Sequence, residues 1–393
     1  MTQYASRRSV LKAIGALGAA SGAVGTASAR GKPTSARYAT FNVVDLTTEQ
    51  VQEPGDEQAE AAARIIQEIR PDVLVLNELA NNLQEGKRTE RTNVDAFVEN
   101  YLSVPQRDGL EGIDYQYTLQ PESNTGVLPE EEYDFNKDGQ AGERPDDAFG
   151  FGQYPGHYAF AVASRYPFDE EAVRTFREFL WADMPDNLIP VEGEEGVETD
   201  DIYLTEAELE VFRLSSKTHV DVPFCVDDEI VHGLFSHPTP PVFDGDNNFN
   251  GRWNHDEVRF FADYVAGADY IYDDSGTEGG LDDDASYVLM GDMNAGLAGD
   301  RPLDPARKYF LENDDFQTHK LPTSPGGAQL GNRYATATFG GGSKVDWVLP
   351  SPDLTLRSSS VVWPSAEATK RGLGDDGETA SDHRMVWADI ATK

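Results

Sequence analysis

A single cysteine, Cys225, in 393 residues excludes an intrachain disulfide. Its neighbours Phe224 and Val226 mark a packed strand position rather than a reactive thiol. Basic residues are scarce: 32 Lys and Arg stand against 70 Asp and Glu. Six of the 32 (Arg7, Arg8, Lys12, Arg30, Lys32, Arg37) fall in the first 37 residues, which hold no acid. From Tyr38 onward 26 basic residues therefore face all 70 acidic ones, a net −44. No basic groove for a polyanion is visible, and counterion release would add little in strong salt. Long apolar runs are missing too. The Gly/Ala-rich stretch from Ala13 to Val24 is too short and too small for a stable membrane span. No internal repeat occurs, and the histidines lack the helix or knuckle spacing of a zinc site.

What remains is enough for a core. Hydrophobic residues make up 39% and aromatics 10%, which argues against a disordered acidic tail. The acid reads instead as a solvated surface suited to molar salt, as in halophilic proteins, where a Debye length of about 3 Å makes self-repulsion cheap. Ser6-Arg7-Arg8-Ser9-Val10-Leu11-Lys12 followed by the weakly apolar stretch and Ala27-Ser28-Ala29 reads as a twin-arginine signal peptide over residues 1–29. The expectation is a secreted protein with one domain over residues 30–393 and no obligate protein partner, retention at the cell surface being the alternative.

The spacing of Ala59, Ala62, Ala63, Ile66 and Ile69 predicts a helix from Asp56 to Arg70, stopped by Pro71. Further helices are predicted near Asn93–Leu102 and from about Asp256 to Ala266, with Asn254 as N-cap. Strands are predicted at 38–41, 72–78, 158–163, 218–224, 230–235, 287–290, 345–349 and 385–390. An acidic, Gly-rich insertion occupies about 121–156. Strands in neighbouring pairs with a few helices suit two sheets packed face to face with helices outside, an α/β class.

Five apolar runs end on an acid, amide or imidazole: Thr40-Phe41-Asn42, Leu74-Val75-Leu76-Asn77-Glu78, Leu234-Phe235-Ser236-His237, Val288-Leu289-Met290-Gly291-Asp292-Met293-Asn294 and Ser381-Asp382-His383. Strand ends deliver side chains to fixed places, so these groups can converge. Oxygen donors with one or two histidines suit a hard divalent cation and a phosphate ester. Asp292 and Asn294 share a face by period-2 alternation, and Gly291 permits close approach.

The order of these segments, with Gly-Asp-Met-Asn-Ala (291–295), Lys344-Val345-Asp346-Trp347 and Ser-Asp-His (381–383), resembles the endonuclease/exonuclease/phosphatase superfamily from about Arg37 to Ile390. The resemblance implies a DNase I-like, four-layer α/β/β/α sandwich of two mixed sheets. It implies that Glu78, with Asn42 and Asp382, holds Mg²⁺ or Mn²⁺. Asp292 would orient the attacking water. Asp346 would fix the tautomer of His383, which would serve either as general base or as a positioned donor. His237 and Asn294 would steady the phosphate, Arg165 in Ser-Arg-Tyr-Pro would reach a phosphate oxygen, and Asn254 would stand near the substrate. The family often has an acid soon after the position of Asn42, and Asp45 stands three residues on; His157 is a weaker candidate, His255 a rim candidate that is equally a helix-capping residue, and Lys344 reads as a surface charge. Separately, Asp134-Phe135-Asn136-Lys137-Asp138-Gly139 carries the first half of a calcium-loop pattern, with Glu143, Asp146 or Asp147 available to close it and no Glu at the twelfth position, where Pro145 stands. The activity expected is hydrolysis of a phosphodiester, nucleic acid being one candidate. A phosphomonoesterase and an idle surface-binding protein of the same fold are the alternatives.

Overall fold

Both faces of the central strands are buried, which is why their sequences read as unbroken apolar runs. The computed structural model describes residues 35–84, 87–198, 201–243, 245–297, 303–372, 374 and 377–392. The signal peptide read at residues 1–29 lies outside them. Strand β1 (Ser35–Leu46) runs parallel to β2 (Val73–Leu79), joined through helix α1 (Glu57–Ile69). Asp56 caps α1 by accepting from the Ala59 N–H at 2.9 Å, and Arg70 ends it in a left-handed conformation before Pro71, as the alanine spacing predicts. Helix α2 (Asn93–Phe97) continues into a wider turn over Val98–Leu102.

One sheet has the order β10-β11-β1-β2-β4-β3, where β3 is Tyr117–Leu119, β4 Phe160–Ser164, β10 Thr355–Val361 and β11 Val386–Ala391. The other has the order β9-β8-β7-β6-β5, with β5 Arg174–Thr175, β6 Val220–Val226, β7 Glu229–Phe235, β8 Ser286–Asp292 and β9 Asp346–Pro350. Both are mixed: β1–β2 and β7–β8 are parallel, their other neighbours antiparallel.

Alternation along each strand builds the layers. Tyr38, Val73, Val75, Val162, Val222, Val231, Val288, Met290 and Val348 fill the space between the sheets. Leu74, Leu76, Ala161 and Phe41 turn the other way, onto Ala59, Ala62, Ile65 and Ile66 of α1. Leu289, Trp347 and Leu349 face outward onto Phe260, Phe261 and Tyr264 of helix α3 (Phe249–Val265). The result is the α/β/β/α sandwich expected.

Some details differ from the sequence reading: the short strands β3 and β5 were not predicted, and the strand expected from residue 158 begins at Phe160. Helix α3 begins seven residues earlier than predicted, from Asn248, whose side chain makes no capping bond, so Asn254 lies within the helix. Strand β10, Thr-Leu-Arg-Ser-Ser-Ser-Val, was not predicted; it is a half-exposed edge strand and carries no apolar run. Cys225 lies in β6, partly buried and unpaired. No helix of the described residues is long and apolar enough to cross a membrane.

His219 sits buried behind β6, its Nε2 donating to the Glu257 carbonyl at 2.9 Å with Ser215 Oγ 2.6 Å from Nδ1. Burial holds its pKa down, to about 4, despite that bond. Because the folded value lies below the unfolded one, near 6.5, the contribution is full above pH 6.5 and is lost as pH falls towards 4. The loss on acidification should be on the order of 3 kcal/mol. Urea melts at pH 7 and pH 4.5 check this: the fall in stability should shrink in His219→Gln.

Candidate active site

Every segment ending on a polar residue opens at the same end of the sandwich. β1 and β2 are parallel and bring Asn42 and Glu78 there. β7 and β8 are parallel and bring His237 and Asp292 there, and Asp346, at the start of antiparallel β9, is directly opposite Asp292. His383 lies just before β11, which pairs antiparallel with β1. The close approach of β8 to the end of β7 needs Gly291: at φ 152° a Cβ there would lie 2.1 Å from the Ser236 carbonyl oxygen. Strain gathers here as well. Of twelve non-glycine residues with positive φ among those described, five are at this mouth: Val44, Asp45, Glu78, Tyr158 and Asn294. Such conformations persist only where the surroundings enforce them.

The side chains form one connected set. Asn42 Nδ2 donates to Glu78 Oε1 at 2.9 Å and to Asp292 Oδ2 at 3.0 Å, while its oxygen accepts the Val44 N–H at 2.9 Å. Asn42 therefore ties the two carboxylates together instead of offering an oxygen to a cation. Glu78 Oε2 accepts the Asp45 N–H at 3.0 Å. Asp292 Oδ1 accepts the Asn294 N–H at 2.9 Å, and the Asn294 amide donates to the Pro238 carbonyl at 3.0 Å. His383 Nδ1 donates to Asp346 Oδ2 at 3.0 Å, which turns Nε2 towards Asp292 Oδ2, 3.8 Å away. Ser381 fixes this segment, its Oγ donating to the Asn42 carbonyl and accepting the His383 N–H. Asp382 is exposed at the rim, its Oδ1 3.9 Å from His383 Nε2.

Charge and burial set the protonation states. Burial raises the Asp292 pKa to about 6; His383 opposes that rise and Asp346, across the strand pair, adds to it. Burial would lower His383, but Asp346, Asp292 and Glu78 outweigh it and hold the imidazole up, to about 10. Burial, with Lys217 and His383 nearby, keeps His237 well below its ordinary value, so this ring is neutral. Its Nε2 stands 3.6 Å from Asp292 Oδ2 and 4.0 Å from Glu78 Oε1, and its buried Nδ1 has no hydrogen-bond partner.

The donor set fits a hard divalent ion. Glu78, His237 and Asp292 each turn a ligand-type atom to within 4.8 Å of the others, as do Asp292, Asp346 and His383. Two carboxylates with a neutral imidazole whose Nε2 faces both of them make a donor set that such a cation can take.

Other expected positions differ as well. Arg165 stands beyond β4 at the far end of the sheet, where its backbone N–H donates to the Asp72 carbonyl and Nη1 to Asp72 Oδ1 at 2.9 Å. Asp72 precedes β2 whereas Glu78 is near its end, so a strand length separates Arg165 from the mouth. A nearby acid won the guanidinium. Asn254 is buried and its amide donates to the carbonyls of Thr239 and Met293 at 2.8 and 3.0 Å; it holds two site loops and is closed off from substrate. Lys344 is buried too, its ammonium donating to the Asp346 carbonyl and lying 4.0 Å over the Trp347 ring. Burial lowers its pKa to about 7.

His157 reaches the rim, Nε2 2.8 Å from Asp45 Oδ1. His255 does not: it is buried against Asp256 and Tyr309. Sequence reasoning missed Lys217, a buried lysine whose Nζ faces the Pro238 carbonyl at 3.5 Å behind His237, with its pKa lowered by burial. Nothing in Ser-Ser-Lys-Thr-His signals that burial. In the insertion, Asp134 accepts the N–H groups of Asp138 and Gly139, and Asn136 that of Asp138. Asp147 accepts those of Phe135 and Glu143, so its carboxylate already closes the loop on itself.

A two-sheet sandwich with acids and imidazoles gathered at one set of strand ends defines a DNase I-like fold. The chain belongs to the Endonuclease/Exonuclease/phosphatase family, whose model matches residues 51–383; members of that family are metal-dependent phosphoester hydrolases. No curated protein matches the sequence. Among solved structures it is similar to an endonuclease/exonuclease/phosphatase from Beutenbergia cavernae, at 17% identity over 91% of this chain and 72% of that one, with a TM-score of 0.49. It is also similar to a beta toxin variant from Staphylococcus aureus with bound magnesium ions, at 14% identity over 92% and 100% and a TM-score of 0.46. A third is sphingomyelinase C from Streptomyces griseocarneus, at 13% identity over 90% and 99% and a TM-score of 0.45.

Proposed function

We propose that this protein hydrolyses phosphodiesters with the help of Mg²⁺ or Mn²⁺. The observation that carries the reading is the unbroken side-chain path Asp346–His383–Asp292–Asn42–Glu78 at one mouth. Glu78 is assigned to hold the cation, with Asp382 at the rim. When bound, the cation draws charge from the phosphoryl oxygens and steadies the leaving oxygen.

The chain's own groups divide the proton work. Asp292, a carboxylate at neutral pH whose basicity burial has raised, takes the proton from the attacking water as its oxygen bonds to phosphorus. His383, held as an imidazolium, donates to the phosphoryl group and supplies the proton to the leaving oxygen as that P–O bond breaks. Asp346 keeps the ring turned for this, and neutral His237 with Asn294 lines the site. No covalent intermediate is required.

Purified protein with DNA, RNA, a small phosphodiester and a phosphomonoester panel, in Mg²⁺ and high salt, tests the reading. Diester cleavage that stops in EDTA supports it. Turnover of monoesters alone would make it a phosphatase, and no turnover of any substrate a binding protein. Two further parts belong to the proposal. Calcium ordering of the 134–139 loop draws on oxygen side chains at Asp134, Asn136 and Asp138, with Glu143 close by. Export draws on the residues 1–29 pattern and predicts a secreted protein beginning near Arg30.

A further inference from the structure

Four aromatic side chains stand exposed among the described residues: Phe151, Tyr154, Phe243 and Phe339. Three of them touch rings at the active-site mouth. Phe339 meets His383 edge-on, with centroids 5.4 Å apart. On the opposite flank His157 lies between Tyr154 and Tyr158, with centroids at 4.5 and 3.6 Å, and Phe151 follows at 6.5 Å from Tyr158; each of these three pairs is tilted by only 23°. The rings form a stepped row of nearly parallel faces.

This row is anchored to the catalytic side chains. His157 Nε2 stands 2.8 Å from Asp45 Oδ1, and Asp45 donates its N–H to Glu78. The Gln153 N–H is donated to His157 Nδ1 at 3.2 Å, which leaves Nε2 to donate to Asp45. Tyr158 sits at φ 58°, two residues before Phe160, which pairs with Asn77. The row thus rises from the sheet edge that carries Glu78. A Cβ on Gly156 would lie 2.6 Å from Asn81 Cβ, so the segment is pressed against the chain that follows Glu78.

We propose that the Phe151–Tyr158 face is a base-stacking subsite, on which a nucleobase next to the scissile phosphate lies flat. The inference rests on the phosphodiesterase reading and narrows it to a single-stranded nucleic acid. A chain of net −44 beyond residue 37 repels a polyanion and offers it little counterion release. Stacking on aromatic faces contributes roughly tenfold in affinity per base, tolerates any sequence, and does not depend on phosphate charge. Flat rings packed around a hydrogen-bonded His157 match a rigid planar ligand. An anionic lipid surface would meet the same repulsion as a polyanion, without a planar group to place.

Equilibrium binding in EDTA tests the subsite apart from catalysis. The probes are a fluorescent single-stranded oligonucleotide and the same strand with abasic nucleotides at its centre. The native protein should bind the base-bearing strand about tenfold more tightly, at low and at molar salt. Phe151→Leu and the Phe151→Leu/Tyr158→Leu pair should reduce that preference stepwise towards one, and Tyr158→Phe should keep it. Equal affinity for both strands, or a preference unchanged in the double variant, overturns the subsite. So does binding of neutral phosphatidylcholine vesicles that the double variant loses, which would assign the rim to a membrane surface. Failure of diester turnover, measured separately with Mg²⁺, would count against the phosphodiesterase reading while leaving the stacking result readable.

Discussion

Asp292→Asn should lower kcat on a phosphodiester by about three orders of magnitude while the protein still melts cooperatively. Three features make the effect large. The carboxylate is buried, its basicity is raised to about 6 by that burial, and Asn42 and His383 both aim at its Oδ2. Asparagine keeps the volume and can still accept the Asn294 N–H, so the change removes a proton acceptor and little else. It also removes an acid from the cross-strand pair with Asp346, a like-charge contact that disfavours folding. Stability should therefore hold or rise as activity falls. Steady-state kinetics beside a thermal melt check both halves. Activity within tenfold of native would remove Asp292 from the chemistry.

Asp346→Asn acts at one remove and should lower kcat by about two to four orders of magnitude, with a smaller change in KM. Asp346 is the group that accepts from His383 Nδ1 at 3.0 Å and is foremost in raising its pKa against burial. Without that charge the imidazole should lose its proton at a lower pH. An NMR titration of His383 should show its midpoint moving down from about 10, and the alkaline limb of the activity profile should move with it. A structural role alone would leave that titration in place. The carboxylate's removal also changes the field at Lys344, whose ammonium lies on the Asp346 carbonyl, so a modest stability change is expected as well.

Much of this was legible because strand ends carry unusual residues. An acid after Val-Leu-Val-Leu, or a Gly-Asp pair after Tyr-Val-Leu-Met, breaks an apolar run where burial is continuous, and such a break needs a partner. Helix α1 was legible for a similar reason: its alanines and isoleucines recur on one face between an Asp cap and a proline. What failed depended on tertiary distance. Arg165 follows an apolar strand as Glu78 does, but β4 runs antiparallel to β2, so its end lies away from the mouth. Asn254 looked like a cap because the true helix start at Asn248 carries no side-chain cap. Lys344 reads as an ordinary surface charge and Lys217 carries no signal at all; only the folded structure puts them near carbonyls and buried acids that make burial tolerable. The aromatic row was invisible for the opposite reason. Phe151 and Tyr154 sit in a Gly-rich stretch whose irregular backbone has no period to read, and Tyr158, expected to open the next strand, lies just before its start at Phe160.

Titrating Mg²⁺ into EDTA-treated native protein and Glu78→Gln, with phosphodiester hydrolysis as readout, tests most directly whether Glu78, Asp292 and His383 serve one ion-dependent site. Native protein should be inactive in EDTA and recover fully on adding Mg²⁺, and Glu78→Gln should need at least about tenfold more Mg²⁺ for half-recovery. Hydrolysis that persists in EDTA, or a Glu78→Gln curve that overlies the native one, would contradict the account.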